Sequence, residues 1–124
     1  MEREDLVQLR PLIPAATTEL SGEAEQFQNA VLRPVIKFQH ELLIAHVRNY
    51  PNFNTLSKNK GSRQDFHQKV QQFIHKQTDL RNQLIGCVIG LLTLEEFTLY
   101  LANKNELNKR ITQMVVQRTV DTVY

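Results

Sequence analysis

Cysteine, glycine and proline are scarce in this 124-residue chain, and tryptophan is absent. The one cysteine, Cys87, cannot form an internal disulfide, and its apolar neighbours predict a small buried side chain in a reducing compartment. Four scattered glycines do not provide the loops that bind dinucleotides or nucleotide phosphates. Together with the four prolines, they also exclude collagen-like and low-complexity sequence classes.

Long hydrophobic runs are missing too. The longest apolar stretch covers residues 84–92, whereas a membrane-spanning helix needs about 20 such residues. Residues 1–5 lack the basic and apolar regions with which a signal peptide begins. We therefore expect a cytoplasmic protein without a membrane partner.

The chain also lacks the motifs of metal binding and covalent catalysis. His40 and His46 are six residues apart, and His67 and His75 are eight apart, so neither pair has the one-turn spacing that places two imidazoles on one helical face. The serines fall in predicted loops, and Cys87 has no base near it in the sequence. We expect no metal and no cofactor, and the residues favour a protein that is not an enzyme.

The charge is unevenly distributed along the chain, although the net charge is only +2. Residues 1–32 carry two basic and six acidic groups, residues 33–82 nine basic and three acidic, and residues 83–124 four of each. Either the acidic start lies on the basic middle, within one chain or between chains, or the basic part faces an anionic partner.

Apolar residues recur at helical spacing through most of the chain, which predicts an all-α fold. Residues 1–22 are expected to form an arm with one or two helical turns, ended by its prolines. Residues 23–124 are expected to form a single bundle of four or five helices around a long helix, residues 23–50, that kinks or breaks near Pro34.

A second long helix is predicted over residues 62–92, opened by a capping box that starts at Ser62. Its apolar stripe consists of Phe66, Val70, Phe73, Ile74, Leu80, Leu84, Ile85, Val88 and Leu91. A second capping box, Thr93 with Glu96, opens a short helix, and a last helix begins near Asn105. The β-branched end of that last segment is also compatible with a strand.

Two features predict self-association. Gly86 and Gly90 lie opposite the apolar stripe, where they allow another backbone to approach closely. The last helix has two apolar faces, which a monomer of this size rarely buries. We therefore expect a non-enzymatic helical interaction or oligomerisation module that forms a homodimer through the last helix or the glycine face.

Five polar residues interrupt apolar helical faces. A buried polar group without a partner costs about 1–3 kcal/mol, so these residues either pair with one another, pair with Glu41 or Asp79, or reach water. Alternatively they line an interhelical pocket in which two guanidinium groups hold a small acid or phosphate. The five candidates for this ligand-binding site are Arg81, Gln77, Arg118, His46 and Gln39.

The basic segment 58–81 leaves a nucleic-acid-binding alternative open. Electrostatic contact with phosphates would require its lysines and arginines to form a coherent surface. Glutamines and Asp79 dilute this charge, and aromatic residues do not alternate with the basic ones to stack on bases. Nucleic acid is therefore the less favoured partner.

Five short stretches of the sequence belong together: Phe27-Gln28-Asn29, Leu32-Arg33-Pro34-Val35-Ile36-Lys37-Phe38-Gln39, Asp79-Leu80-Arg81-Asn82, Thr93-Leu94-Glu95-Glu96-Phe97 and Leu107-Asn108-Lys109-Arg110. They resemble stretches of a group of small bacterial proteins, some of which carry an automatic glyoxalase label. The resemblance covers roughly residues 26–118. It implies a helical domain and identifies no catalytic residue, since the chain lacks the strand-borne His and Glu ligands of glyoxalase-type metal enzymes.

Overall fold

The computed structural model describes residues 2–11 and 22–124. Within these ranges the chain is helical and has no strand, so the all-α prediction is confirmed. Two predicted long helices are interrupted, which divides the described residues into more segments than the predicted four or five. In chain order these are a 3-10 helix (Arg3–Leu9), α1 (Glu23–Phe27), a π-helical turn (Gln28–Leu32), α2 (Arg33–Phe38), α3 (His40–Arg48), α4 (Phe53–Lys58), α5 (Arg63–Lys76), α6 (Thr78–Ile89), α7 (Leu94–Ala102) and α8 (Lys104–Val123).

The predicted helix over residues 23–50 is irregular at two places. Pro34 has no backbone N–H to donate, and the π-helical turn ends shortly before it, so the irregularity predicted near Pro34 takes the form of a local change in helical winding. A second interruption, at Gln39, is absent from the sequence pattern. The backbone of Gln39 adopts φ −87° and ψ 5°, and its side-chain amide donates to the carbonyl oxygen of Cys87 at 3.0 Å.

The prediction of one continuous helix over residues 62–92 is wrong. Gln77 leaves the helical region, with φ −92° and ψ 84°, and separates α5 from α6. The hydroxyl group of Tyr50 donates to Asp79 Oδ1 at 2.6 Å and lies 3.2 Å from Gln77 Oε1. The ring of Tyr50 also lies 5.7 Å from that of Phe73 in α5, so a residue from a distant part of the sequence contacts both sides of the break.

The connection predicted over residues 51–61 contains α4. Asn52 precedes this helix with φ 75°, a left-handed conformation that asparagine adopts more readily than most residues. The side chain of Phe53 is buried and anchors α4 in the core. The Ser62 hydroxyl then accepts from the backbone N–H of Asp65 at 3.0 Å, which confirms the predicted cap of α5.

The last two helices follow the sequence prediction in their starts. Thr93 and Glu96 form the reciprocal bonds of a capping box at α7. The C-terminal segment is helical to Val123, so the strand alternative does not hold. Both apolar faces of α8 are buried within the chain, because α8 lies against the π-helical turn, α3, α5, α6 and α7. The inference that a second face requires a partner chain is therefore wrong.

The glycine face is open in the structure. Gly86 and Gly90 are exposed, and a Cβ atom added at Gly86 would meet no described atom within 4 Å apart from its chain neighbours and the backbone of its own helix. The expected close helix crossing is therefore not made at Gly86 by any described part of this chain. Cys87 is half-buried between the two glycines, and burial raises the pKa of its thiol.

The described part of the arm packs on the α6–α7 connection. Arg3 donates to the carbonyl oxygen of Gly90 at 2.8 Å, and Arg10 donates to that of Leu91 at 3.2 Å and to both carboxylate oxygens of Glu96. We predicted, as one alternative, that the acidic start of the chain packs on its basic middle. Residues 2–11 do not pack in this way, because their contacts with the α6–α7 connection are made by the basic side chains of Arg3 and Arg10. The predicted stop at Pro14 lies outside the described residues.

The core is one apolar cluster that draws on α1 to α8 and the π-helical turn. It contains the buried rings of Phe53, Phe66 and Tyr100. None of the helices in residues 2–11 and 22–124 is both long and apolar enough to cross a membrane.

Candidate functional site

A groove of about 1100 Å³ on the described surface opens to solvent. Its walls come from three helices, α5, α6 and α8. Its floor is apolar and is made by Ile85 and Val116. The remaining lining residues are polar: His67, Gln68, Gln71, Gln72, His75, Arg81, Asn82, Asn105, Asn108, Lys109, Thr112, Gln113 and Gln117.

The walls are held in place where α5 begins and α8 ends. Arg63 forms an ion pair with Asp121, and Lys60 donates to the carbonyl oxygen of Val123 at 2.9 Å. The hydroxyl group of Tyr124 donates to the carbonyl oxygen of Gly61 at 3.0 Å. These contacts join the start of one helix to the end of the other, so α5 and α8 run antiparallel. Along each helix the lining residues recur every three or four positions and thus face the same side.

The described lining of the groove carries positive charge and no negative charge. Arg81 and Lys109 are cationic, two imidazoles stand beside them, and no carboxylate is among the described lining residues. Eight side-chain amides supply hydrogen-bond donors and acceptors together. The groove can therefore balance a negative charge and hydrogen-bond the polar groups around it.

Arg81 is the sequence-predicted residue that lines this groove. Its Nη1 atom lies 3.3 Å from His75 Nδ1 and 3.4 Å from the carbonyl oxygen of His75. Because a guanidinium group only donates, the imidazole nitrogen accepts and this partner brings no negative charge. Both contacts are long, and most of the five N–H groups of Arg81 are left for a ligand.

The structure does not bring the other predicted residues into the groove. Gln39 bonds to Cys87, as described above, and Gln77 lies beside the hydroxyl group of Tyr50. His46 lines a separate shallow depression of about 310 Å³ between α3 and α6. The polar residues that interrupt apolar faces thus have separate surroundings, and none of the hydrogen bonds found for them among the described residues joins two of the five.

Arg118 lies at the contact of α3 with α8. Its Nη1 atom is 3.1 Å from His40 Nδ1, so the histidine beside it is His40 and not the predicted His46. Burial is the main cause that lowers the pKa of Arg118, the positive charge of Arg33 lowers it further, and Asp121 acts in the opposite direction. The predicted pairing of Arg118 with Arg81 around one ligand is therefore not seen.

Most of the groove residues could not be identified from the sequence, in which the glutamines of the basic segment only dilute its charge. A usable signal is present on α8. Amides and one lysine recur there at helical spacing without a carboxylate, at Asn105, Asn108, Lys109, Gln113 and Gln117. A polar helical face usually mixes both signs of charge, so a stripe of amides is a distinguishing pattern.

The described lining of the groove contains few side chains that could act as a nucleophile or as a general acid or base. The described lining contains no cysteine, no serine and no carboxylate, so Thr112 is its only aliphatic hydroxyl. No cluster of three or more His, Cys, Asp or Glu side chains able to hold a metal occurs in the part of the chain that the structure describes. The arrangement is suited to binding.

Comparisons with protein-family models, curated proteins and solved structures find no match to this chain. The resemblance to small bacterial helical proteins consequently stays a prediction.

Proposed function

We propose that this protein is a non-enzymatic helical binding module whose ligand is a small anion, an acid or a phosphate, held in the groove between α5, α6 and α8. One observation carries the proposal. The groove contains Arg81 and Lys109 and no described carboxylate, so no lining residue neutralises its cations from within. Opposite charge and the fork of an arginine are what recognition of a carboxylate or phosphate requires.

The size of the groove and its amides support a ligand larger than a bare ion. A volume of about 1100 Å³ slightly exceeds the range of about 300–1000 Å³ that is typical of small-molecule sites. Eight amides around an apolar floor can bond the polar groups of an organic acid while its carbon atoms contact Ile85 and Val116. Arg81 and Lys109 would then bind its charged group.

The contacts of the basic segment favour a small ligand over a nucleic acid. Arg63 is paired with Asp121, and Lys60 and Lys69 donate to backbone carbonyl oxygens. These cations are engaged within the chain. Among the described lining residues there is also no Phe, Tyr or Trp on which a base could stack.

Arg81→Gln tests the groove. With citrate and inorganic phosphate as probes, we expect calorimetry to show the Kd of the better ligand rising about tenfold or more, because hydrogen bonds between charged groups contribute about 1.5–3 kcal/mol. The melting temperature should change little, since the bonds of Arg81 to His75 are long.

Arg48→Gln is the matched control, because it removes the same charge from an exposed position outside the groove lining. An equal loss of affinity in both variants would show that only net charge matters. A lower melting temperature of Arg81→Gln with an unchanged Kd would mean that Arg81 stabilises the fold and does not bind the ligand. Either result contradicts the proposal.

Self-association through the face formed by α3 and α6 is the second candidate function. The open Gly86 lies on α6, Leu42 of α3 is 47% exposed, and Phe38 at the adjoining end of α2 is 46% exposed. Leu42 and Gln83 line the same shallow depression, so Leu42 of α3 adjoins the turn of α6 that precedes Gly86. A second copy of the chain could cover them with an identical surface.

Leu42→Glu tests this face. If the wild-type protein dimerises here, sedimentation at high micromolar concentration should show a dimer for the wild type and a monomer for the variant, since a carboxylate would be buried unpaired in the interface. Leu99→Glu, on the equally exposed surface of α7, should stay dimeric. A monomeric wild type, or equal association of both variants, would exclude this interface.

A further inference from the structure

The groove residues of α5 and α8 lie opposite one another in pairs. Arg63 of α5 contacts Asp121 of α8, and the two helices run antiparallel, so each step up one helix corresponds to an equal step down the other. The next three turns bring lining residues to the same level, in the order His67 with Gln117, Gln71 with Gln113, and His75 with Lys109. Successive pairs are about 6 Å apart, so the three pairs span about 12 Å.

The arginine and the lysine of the described lining lie at the same end of these pairs. Arg81 Nη1 is 3.3 Å from His75 Nδ1, and Lys109 is level with His75. At the opposite end, Arg63 and Asp121 neutralise each other one turn beyond Gln117. The groove therefore has a cationic end, formed by His75, Arg81 and Lys109, and an amide end at Gln117.

Hydrogen bonds within the chain decide what each end still offers to a ligand. The Oδ1 atom of Asn108, next to Lys109, accepts from the hydroxyl group of Tyr100, so the amide nitrogen of Asn108 is left to donate. Gln117 Nε2 donates to Asp121 Oδ1 at 2.9 Å, so the Oε1 atom of Gln117 is left to accept. The cationic end thus offers donors, which an anionic group needs, whereas the amide end offers an acceptor, which a hydroxyl group can satisfy and an anionic oxygen cannot.

The middle pair, Gln71 and Gln113, is available to a ligand. Both side chains are exposed, and neither takes part in a hydrogen bond among the described residues. Each amide presents a donor and an acceptor side by side. Two hydroxyl groups on neighbouring carbon atoms present the complementary acceptor and donor, so one amide can bond both. The apolar floor, Ile85 and Val116, can contact the C–H groups that lie between such hydroxyls.

We propose that the ligand of the groove is a sugar with one terminal anionic group, which is a phosphate or a carboxylate. The anionic group binds Arg81 and Lys109, and the hydroxyl groups extend along Gln71 and Gln113 toward Gln117. This inference rests on the anion site proposed above and adds the class and the orientation of its ligand. A span of about 12 Å is longer than a bare phosphate or carboxylate occupies, and a hexose with a terminal anionic group fits it better.

Calorimetry with two couples of probes tests the class of ligand. Glucose 6-phosphate is compared with inorganic phosphate, and gluconate with acetate, all at equal ionic strength. In at least one couple, we expect the sugar to bind the wild type about tenfold or more tightly than the simple anion, because its hydroxyl groups add hydrogen bonds to the amides. The couple with the larger ratio identifies the anionic group as phosphate or carboxylate.

The double variant Gln71→Met, Gln113→Met tests the orientation. It should raise the Kd of the better sugar probe about tenfold and leave the Kd of the matching simple anion unchanged, since the cationic end is intact. Both side chains are exposed, so the melting temperature should stay that of the wild type. The matched control is Gln8→Met, Gln64→Met, which replaces two exposed glutamines outside the lining and should bind every probe as the wild type does.

Arg81→Gln separates failure of this inference from failure of the anion site itself. If Arg81→Gln weakens all bound probes but neither sugar binds more tightly than its simple anion, the sugar is wrong and the anion site remains. Equal losses for sugar and simple anion in Gln71→Met, Gln113→Met would likewise overturn the orientation alone. If Arg81→Gln leaves the binding of every probe unchanged, both proposals are wrong.

Discussion

Phe66→Ala should lower the free energy of unfolding by about 3–5 kcal/mol, the range expected for removal of a fully buried aromatic ring. Phe66 is 0% exposed, and its ring centroid lies 5.8 Å from that of Tyr124. It therefore packs the first turn of α5 against the end of α8. Since a domain has a total stability of about 5–15 kcal/mol, a large part of the molecules would unfold in mild denaturant.

Phe97→Ala is the matched control for this prediction. Phe97 is 37% exposed on α7 and stacks on Tyr100 at a centroid distance of 5.9 Å, so its loss should cost about 1 kcal/mol. Urea denaturation followed by circular dichroism measures both variants. Because Phe66 adjoins His67 of the groove wall, Phe66→Ala should weaken ligand binding as well, whereas Phe97→Ala should not. Equal costs of unfolding would mean that α5 and α8 are not packed as described.

Arg10→Ala should lower the free energy of unfolding by about 2–4 kcal/mol, because the variant leaves a carboxylate in a poorly solvated place without its cation. The side chains of Arg10 and Glu96 are only 9% and 15% exposed and are joined by two bonds of 2.6 and 2.5 Å. The Nε atom of Arg10 is buried without a hydrogen-bond partner in the described structure. Because this unpaired donor already costs the wild type some stability, we expect a loss of unfolding free energy toward the lower end of the range for breaking a buried ion pair.

Arg63→Ala provides the comparison for an exposed ion pair. The side chains of Arg63 and Asp121 are 55% and 52% exposed, so solvent screens their attraction and its loss should cost about 1 kcal/mol or less. Equal effects of Arg10→Ala and Arg63→Ala would contradict the assignment of the first pair as the structural one.

The same ion pair predicts a dependence on pH. Burial by itself raises the pKa of Glu96, but hydrogen bonds from Arg10 and Thr93 and the charge of Arg10 outweigh it and lower the pKa below its usual value. A carboxyl group with a lowered pKa in the folded state contributes stability that is complete above the unfolded pKa and is lost as the pH falls through the folded pKa. The difference in unfolding free energy between wild type and Arg10→Ala should therefore narrow from about pH 7 to about pH 3. A constant difference would mean that Glu96 is not its source.

Helices could be predicted from this sequence because their apolar spacing is local. The two interruptions could not. Gln39 and Gln77 stand out as polar residues on apolar faces, but their backbone breaks depend on partners far along the chain, Cys87 for the first and Tyr50 for the second. The docking of the arm depends in the same way on Arg10 and Glu96, which are 86 residues apart.

The candidate site was predictable in part. Arg81 could be singled out because a guanidinium on an apolar face must find a partner. The amides opposite it could not, since the sequence does not say which polar faces meet around a groove and which face open solvent. The surroundings of α8 were missed for a related reason, because the number of helices that cover a face is decided only when the chain has folded.

The contact of Tyr50 with the two ends of α5 and α6 bears on how wide the groove opens. One residue, Gln77, joins the helix that carries His67 and His75 to the helix that carries Arg81. Rotation about that single joint would swing one wall relative to the other, and the phenol bridging Gln77 and Asp79 restrains that rotation. The width of the groove therefore depends on the side chain of Tyr50, a residue that does not line the groove.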